Sequence, residues 1–466
     1  MGPMRSIGRK ILHEEQKISM KNTTDYFLEL DLASLWHPYT RHSALRDGFP
    51  VIVRGEGIFL FDSAGNRYVD AISSWWACNL GHSHPRLVQA IVRQAGELQH
   101  SILGNLTHPH AAELAYRLAG TFPDRHRRTI FASDGASAVE AALRVSVQYW
   151  RNKGENGRCC FAALENAYHG DTIGAMAVGY LPAFHAAYRP LLFPVYKVKT
   201  PDCSVCPEGN TDEPCGVGCF SAMERTVKEH ARELAAVIVE PLCQGAAGMR
   251  MYPAQYLRKL SGLCRENRVL LIVDEIAVGL GRTGRMFAFE HAGIDPDIVC
   301  LGKGLSGGYL PISAAVVKEE IFETFADEPE DHTFYHGHTF AGNPIAAAAA
   351  IECLNIYQEE KIVERARRSG EVLAAHFQTF KDVPGVANVR CLGMIAAFDL
   401  AEKEGLTGED RARNICRAAL RKGMLIRPLG TAIYLMPPLI ASDEVLAETT
   451  ARLLEIVRSQ ESGIRN

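Results

Sequence analysis

The sequence contains no apolar run of membrane-spanning length; its longest apolar stretches are interrupted well short of that. It also lacks a dominant charge: 50 Lys and Arg against 54 Asp and Glu leave a formal net charge of -4. With no long basic stripe, a broad nucleic-acid-binding surface is not expected. No internal repeat or low-complexity tract stands out. The amino-terminal MGPMRSIGRKILHEEQKISM lacks the apolar stretch of a secretory signal, and Glu14 and Glu15 disfavour a transit peptide. Ordered structure is expected to begin nearer Asp25, in a cytoplasmic protein. The 13 cysteines in 466 residues do not form a secreted disulfide framework.

What is present is a globular balance, 47% hydrophobic and 22% charged, in a chain long enough for one large domain and a smaller one. Apolar runs recur in RRTIFA, RCCFAAL, LAAVIV, RVLLIVD and DIVCL, each followed by a small or polar turn. Continuous apolar strands separated by helical segments predict an α/β fold, with a mostly parallel sheet covered by helices on both faces. Ligands of such sheets bind beyond the carboxyl ends of the strands. Asp134, Gly135, Tyr168, His169, Glu240, Asp274, Glu275 and Lys303 follow these runs, so they are expected to converge on one crevice.

Upstream, GIFLFDSAGNRYVDAISSWW alternates around Gly65-Asn66 and reads as an antiparallel hairpin. Downstream of Asn343-Pro344, an alanine-rich helix leads to GMIAAFDL, EDRARNICRAALRKG and AIYLMPPLI, the elements of a smaller α+β domain. The expected division is 1–80 as an amino-terminal segment belonging with the small domain, 81–350 as the large domain, and 351–466 as the carboxy-terminal α+β domain.

Lys303 in LGKGLSGG ends an apolar strand between glycines. Partial burial there favours the neutral, nucleophilic amine, and the glycines allow a cofactor close approach. Asp274 ends LLIVD; it can cap the next helix, or pair with the pyridine nitrogen of pyridoxal phosphate and keep it an electron sink. A glycine-flanked lysine one strand later favours the second role. Gly135 and Ala136 open a helix whose free N–H groups form a phosphate cradle, to which Ser133 or Ser137 can add a hydroxyl. Tyr168 offers an aromatic face for a cofactor ring.

The segments SDGASAVEAAL, YHGDTIGAM, VDEIAVGLGRTG, LGKGLSGG and HGHTFAGNP resemble, in order, the motifs of the class III aminotransferases. These are pyridoxal 5'-phosphate enzymes of fold type I, usually homodimers, and the resemblance spans about Leu35 to Leu439. LWHPYT, DAISSWWACNLGHSHP, GMRMYP and IRPLGTAIYLMPP resemble the branch that converts 8-amino-7-oxononanoate to 7,8-diaminononanoate in biotin biosynthesis. S-Adenosyl-L-methionine is the usual amino donor of that branch, and some members use lysine.

The resemblance implies that Lys303 is the Schiff-base lysine, Asp274 the pyridinium partner, Gly135 and Ala136 the phosphate turn, and Tyr168 the residue over the ring. Thr339 matches a phosphate contact supplied by the second subunit; its neighbour His338, a cofactor-side candidate, stands where proline is frequent. Ala136 stands where serine is common, which removes one hydroxyl contact. Tyr39, also a catalytic candidate, and Trp75 match residues lining the keto-acid pocket. Gly337 matches a backbone contact, Arg427 the carboxylate-binding arginine, and Tyr434 and Arg282 further pocket residues.

Cys203, Cys206, Cys215 and Cys219 have a spacing compatible with tetrahedral zinc. The short intervening loop favours a metal-free insertion over a structural metal site.

Overall fold

The computed structural model describes residues 23–45, 48–202, 218–326 and 331–461. In chain order the strands are β1 (Ile52–Glu56), β2 (Phe59–Asp62), β3 (Arg67–Asp70), β4 (Arg127–Ala132), β5 (Cys160–Leu164) and β6 (Tyr196–Val198). Next come β7 (Leu234–Val239), β8 (Cys243–Gln244), β9 (Arg250–Met251), β10 (Leu270–Asp274), β11 (Ile298–Leu301) and β12 (Ser313–Lys318). The last five are β13 (Val386–Leu392), β14 (Ile395–Leu400), β15 (Met424–Leu425), β16 (Pro428–Leu429) and β17 (Ala432–Leu435).

The central sheet has seven strands in the order β4-β12-β11-β10-β7-β5-β6. Strands β11, β10, β7, β5 and β6 run parallel, and β12 runs antiparallel to both β11 and β4. Every residue of β7, β10 and β11 is buried. Alternation along each strand divides them between two cores: Val237, Val239, Leu271 and Val273 enter one, Ala236, Ile238, Leu270 and Ile272 the other. This is why the strands read as unbroken apolar runs. The antiparallel strand β12 was not among the expected ones.

The helix Gly135–Asn152 starts where β4 ends; Asp134 caps it, accepting the Ser137 N–H at 3.0 Å. The expected hairpin is β2–β3, and its turn is held by Asp62 Oδ1, which accepts the N–H groups of Ala64 and Asn66. Strand β15 pairs in parallel with β3, so the carboxy-terminal region completes the amino-terminal sheet. The second four-stranded sheet, β13-β14-β17-β16, is antiparallel. The helix Pro344–Glu359, capped by Asn343, runs unbroken across residue 350, so the division expected there falls inside a continuous helix. No described helix is long and apolar enough to cross a membrane.

Candidate active site

Lys303 lies just past β11, with φ of 41°. Its turn presses on Asn79 so closely that a Cβ on Gly304 would come within 2.3 Å of Asn79 Nδ2; only glycine fits. The lysine points into a cavity of about 440 Å³ at the carboxyl ends of the parallel strands. Asp134, Gly135, Ala136, Tyr168, His169, Glu240 and Asp274 line the same cavity. Of the residues expected to converge there, Glu275 alone turns away; its carboxylate accepts the N–H groups of Ala288 and Phe289. Cavities of about 880 and 810 Å³ elsewhere lack a comparable lysine and buried-carboxylate arrangement.

Asp274 caps a turn rather than a helix, and its second oxygen faces a histidine. Its Oδ1 accepts the Ile276 N–H at 3.0 Å, capping the turn, while Oδ2 lies 2.7 Å from His169 Nδ1. Both side chains are buried, and His169 Nε2 has no hydrogen-bond partner among the described residues. Burial lowers the Lys303 pKa, against the opposing pull of Asp274 and Glu240. The ammonium position is 5.0 Å from the centroid of the Trp76 ring. Glu240 is fully enclosed and accepts the N–H groups of Tyr168 and Gly245, each at 3.0 Å. Burial, reinforced by Asp274, pushes its pKa up to about 8.

At the helix start, the Gly170 backbone (φ 123°) sits on Ala136; a Cβ there would be 2.3 Å from the Ala136 methyl. Ser137 directs its hydroxyl to Asp134 Oδ2 at 2.9 Å.

An aromatic cluster at the mouth adjoins the cavity through Tyr168 and Asp171, which line it, whereas Tyr39, Trp75, Phe184 and Arg427 do not. The Tyr39 hydroxyl donates to Asp171 Oδ1 at 2.5 Å, and the Tyr168 hydroxyl donates to Oδ2 at 3.0 Å. Burial, then the Asp171 bond, raises the Tyr39 pKa to about 12, so it remains a phenol. Its ring meets those of Trp75 and Phe184 edge-on at 5.8 and 5.1 Å. Arg427 lays its guanidinium over Trp75, 4.2 Å from the ring centroid.

The segment Ser73–Trp76 carries these tryptophans on four successive positive φ angles, 49°, 50°, 95° and 71°. Each such residue costs about 1–2 kcal/mol relative to ordinary backbone, so the surroundings must impose the turn.

Two expected pocket residues lie elsewhere. Arg282 is fully buried and donates to the Pro437 carbonyl, to Asn79 Oδ1 and to Ser73 Oγ. It braces the wall from behind, its Nη groups bonded to protein acceptors, while Nε has no hydrogen-bond partner among the described residues. Tyr434 is also buried, behind Trp76, whose indole N–H donates to the Tyr434 hydroxyl at 3.1 Å. Gly337, His338 and Thr339 belong to a surface segment that does not line the Lys303 cavity of the same chain. Sequence reasoning missed Trp76 as a cavity wall and Asp171 as the phenols' shared acceptor. The YHGD spacing held a signal for Asp171, three residues after Tyr168. Cys203, Cys206 and Cys215 lie outside the described residues; among the described residues no group of three or more His, Cys, Asp or Glu could hold a metal.

Residues 43–457 match the aminotransferase class III family. The chain belongs to that family. It is 41% identical over 426 residues to adenosylmethionine-8-amino-7-oxononanoate aminotransferase of Nitratidesulfovibrio vulgaris, covering 90% of this chain and 79% of the relative. The crystal structure of the enzyme of that name from Methanocaldococcus jannaschii superposes with a TM-score of 0.87 at 34% identity, covering 93% of this chain and 99% of that one. An omega transaminase from Pseudomonas jessenii, in complex with PMP, gives 0.86 at 30% identity, over 94% and 99%. These neighbours bear out the fold type I expectation.

The family implies pyridoxal phosphate, and this chain's donor set fits it. The cavity offers a lysine amine, a buried carboxylate for a protonated ring nitrogen, free N–H groups at a helix start, and tyrosine and tryptophan faces.

Proposed function

We propose that this aminotransferase converts 8-amino-7-oxononanoate to 7,8-diaminononanoate in biotin biosynthesis, with S-adenosyl-L-methionine as amino donor. The observation that carries the proposal is the mouth: an arginine laid flat on an indole beside a tyrosine wall. A long apolar chain ending in a carboxylate suits this pair, since the aromatics take the chain and the planar guanidinium takes the carboxylate. The names of the relatives support the same substrate.

In this reading Gly135 and Ala136 hold the cofactor phosphate through backbone N–H groups, and Asp274, oriented by His169, holds a proton on the ring nitrogen. Pyridoxal phosphate, when bound, supplies the electron sink and carries the amino group between the two half-reactions. Lys303 Nζ would hold the cofactor at its aldehyde carbon and, as a free amine, would take the α proton of the donor and return one to the acceptor carbon. Trp75, Tyr39 and Arg427 orient the acceptor and exclude water. Thr339, with His338 and Gly337 beside it, serves the site of the partner subunit in a cytoplasmic homodimer.

The test is a donor panel with 8-amino-7-oxononanoate as acceptor. Diamine product with S-adenosyl-L-methionine is expected. Product from lysine alone would reassign the donor. Turnover of simple diamines or β-amino acids with no use of the keto acid would overturn the substrate assignment.

A further inference from the structure

The left-handed turn Ser73–Trp76 contains no glycine, so a specific group must hold it. Its ends are fixed by several contacts. The Ser73 hydroxyl donates to the Met436 carbonyl at 2.8 Å and accepts from Arg282, and the Trp76 indole is tied to Tyr434. The middle is different. Ser74 and Trp75 are exposed, and the external ring partners of Trp75 are Tyr39 and Arg427, both at the open mouth.

One buried side chain reaches this middle. Asp70, with no exposed surface, accepts the Ser74 N–H at 2.9 Å on Oδ1 and the Ser74 hydroxyl at 2.6 Å on Oδ2. Oδ1 also lies 3.4 Å from the Ile72 N–H. His82 Nε2, 2.8 Å from Oδ2, orients the carboxylate. His82 is fixed in turn by paired backbone bonds with Gly57, and its Cβ packs where a side chain on Gly55 would stand, 2.6 Å away.

We propose that Asp70 is a positioning residue for substrate: its carboxylate, held by His82, imposes the left-handed turn that aims Trp75 and Trp76 at the site. Asp70 lines no part of the cavity, so it acts only through the turn. As far as it names the keto acid, the inference rests on the proposed function. The geometry of the turn does not.

The test compares Asp70→Asn, Ser74→Gly, the double variant and Ser74→Val in the holoenzyme. Asp70→Asn should keep its bound cofactor, because Lys303 and Asp274 are untouched. It should change the near-ultraviolet circular dichroism of the tryptophans and lower kcat/KM for the keto acid by roughly tenfold or more, mostly through KM. Ser74→Gly accepts a positive φ without strain and should recover much of that loss in the double variant. Ser74→Val leaves Asp70 in place but resists the left-handed conformation, so it should reproduce the defect from an exposed position even if Asp70→Asn fails to fold.

Unchanged kinetics in Asp70→Asn or in Ser74→Val would overturn the proposal, as would a defect that Ser74→Gly leaves wholly uncorrected. If the wild-type protein does not use the keto acid at all, the functional reading fails instead. The dichroism and cofactor content of the same variants still decide the role of Asp70.

Discussion

The Arg427 guanidinium stacks on the Trp75 indole, 4.2 Å from the ring centroid. The stacking presents the guanidinium edge, with its N–H donors, to an incoming carboxylate, which lysine cannot imitate with a point charge. Arg427→Ala should therefore raise KM for the keto acid by roughly one to two orders of magnitude, about 1.5–3 kcal/mol of a charge-assisted interaction, with little change in kcat. Arg427→Lys should recover only part of it. Steady-state kinetics with varied keto acid provide the check, and an unchanged KM would place the carboxylate elsewhere.

Asp274 and His169 form a buried pair, 2.7 Å apart, with the second Asp274 oxygen on the Ile276 N–H. Asp274→Asn keeps the shape but removes the negative charge that would hold a proton on the ring nitrogen. Turnover should fall by about two orders of magnitude or more while the cofactor stays bound. Loss of cofactor with normal turnover of the remaining holoenzyme would mean that Asp274 serves binding alone.

Lys303 is the group for which no neighbour can substitute. Glu240 and Asp274 are carboxylates, and the other cavity residues carry no amine. Lys303→Ala should abolish turnover and the visible absorbance of a lysine-bound cofactor. Exogenous small amines should restore only a trace of proton transfer. Full activity in this variant would remove Lys303 from the mechanism.

The strands that deliver Asp274 and Lys303 were legible because parallel strands buried on both faces leave unbroken apolar runs, each ending at a polar residue. Strand β12 escaped notice because it follows a glycine-rich turn and enters the sheet antiparallel, without the strand–helix rhythm of its neighbours. Arg282 shows the limit of motif matching: its position in the loop was readable, but the direction of its side chain depends on Asn79 and Pro437, distant in sequence. The turn at Ser73–Trp76 was not legible at all. Four left-handed residues without a glycine contradict local propensity and exist only because Asp70 and the carboxy-terminal region surround them.

Lys197, on edge strand β6, donates from Nζ to the Val178 carbonyl at 2.6 Å, and burial lowers its pKa from 10.5 to about 7. The unfolded chain holds this proton up to about 10.5, whereas the folded chain releases it near 7. Between these values the unfolded state binds more protons at this group, so the Lys197 contribution to stability rises with pH. The penalty for the buried charge is full below pH 7 and gone above 10.5, with a slope of at most about 1.4 kcal/mol per pH unit between them. Lys197→Met fills similar space without the amine. The stability difference between variant and wild type should therefore shift in favour of wild type as pH rises from 7 to 10, as read by urea unfolding at several pH values. A pH-independent difference would show that Lys197 keeps the same charge in both states.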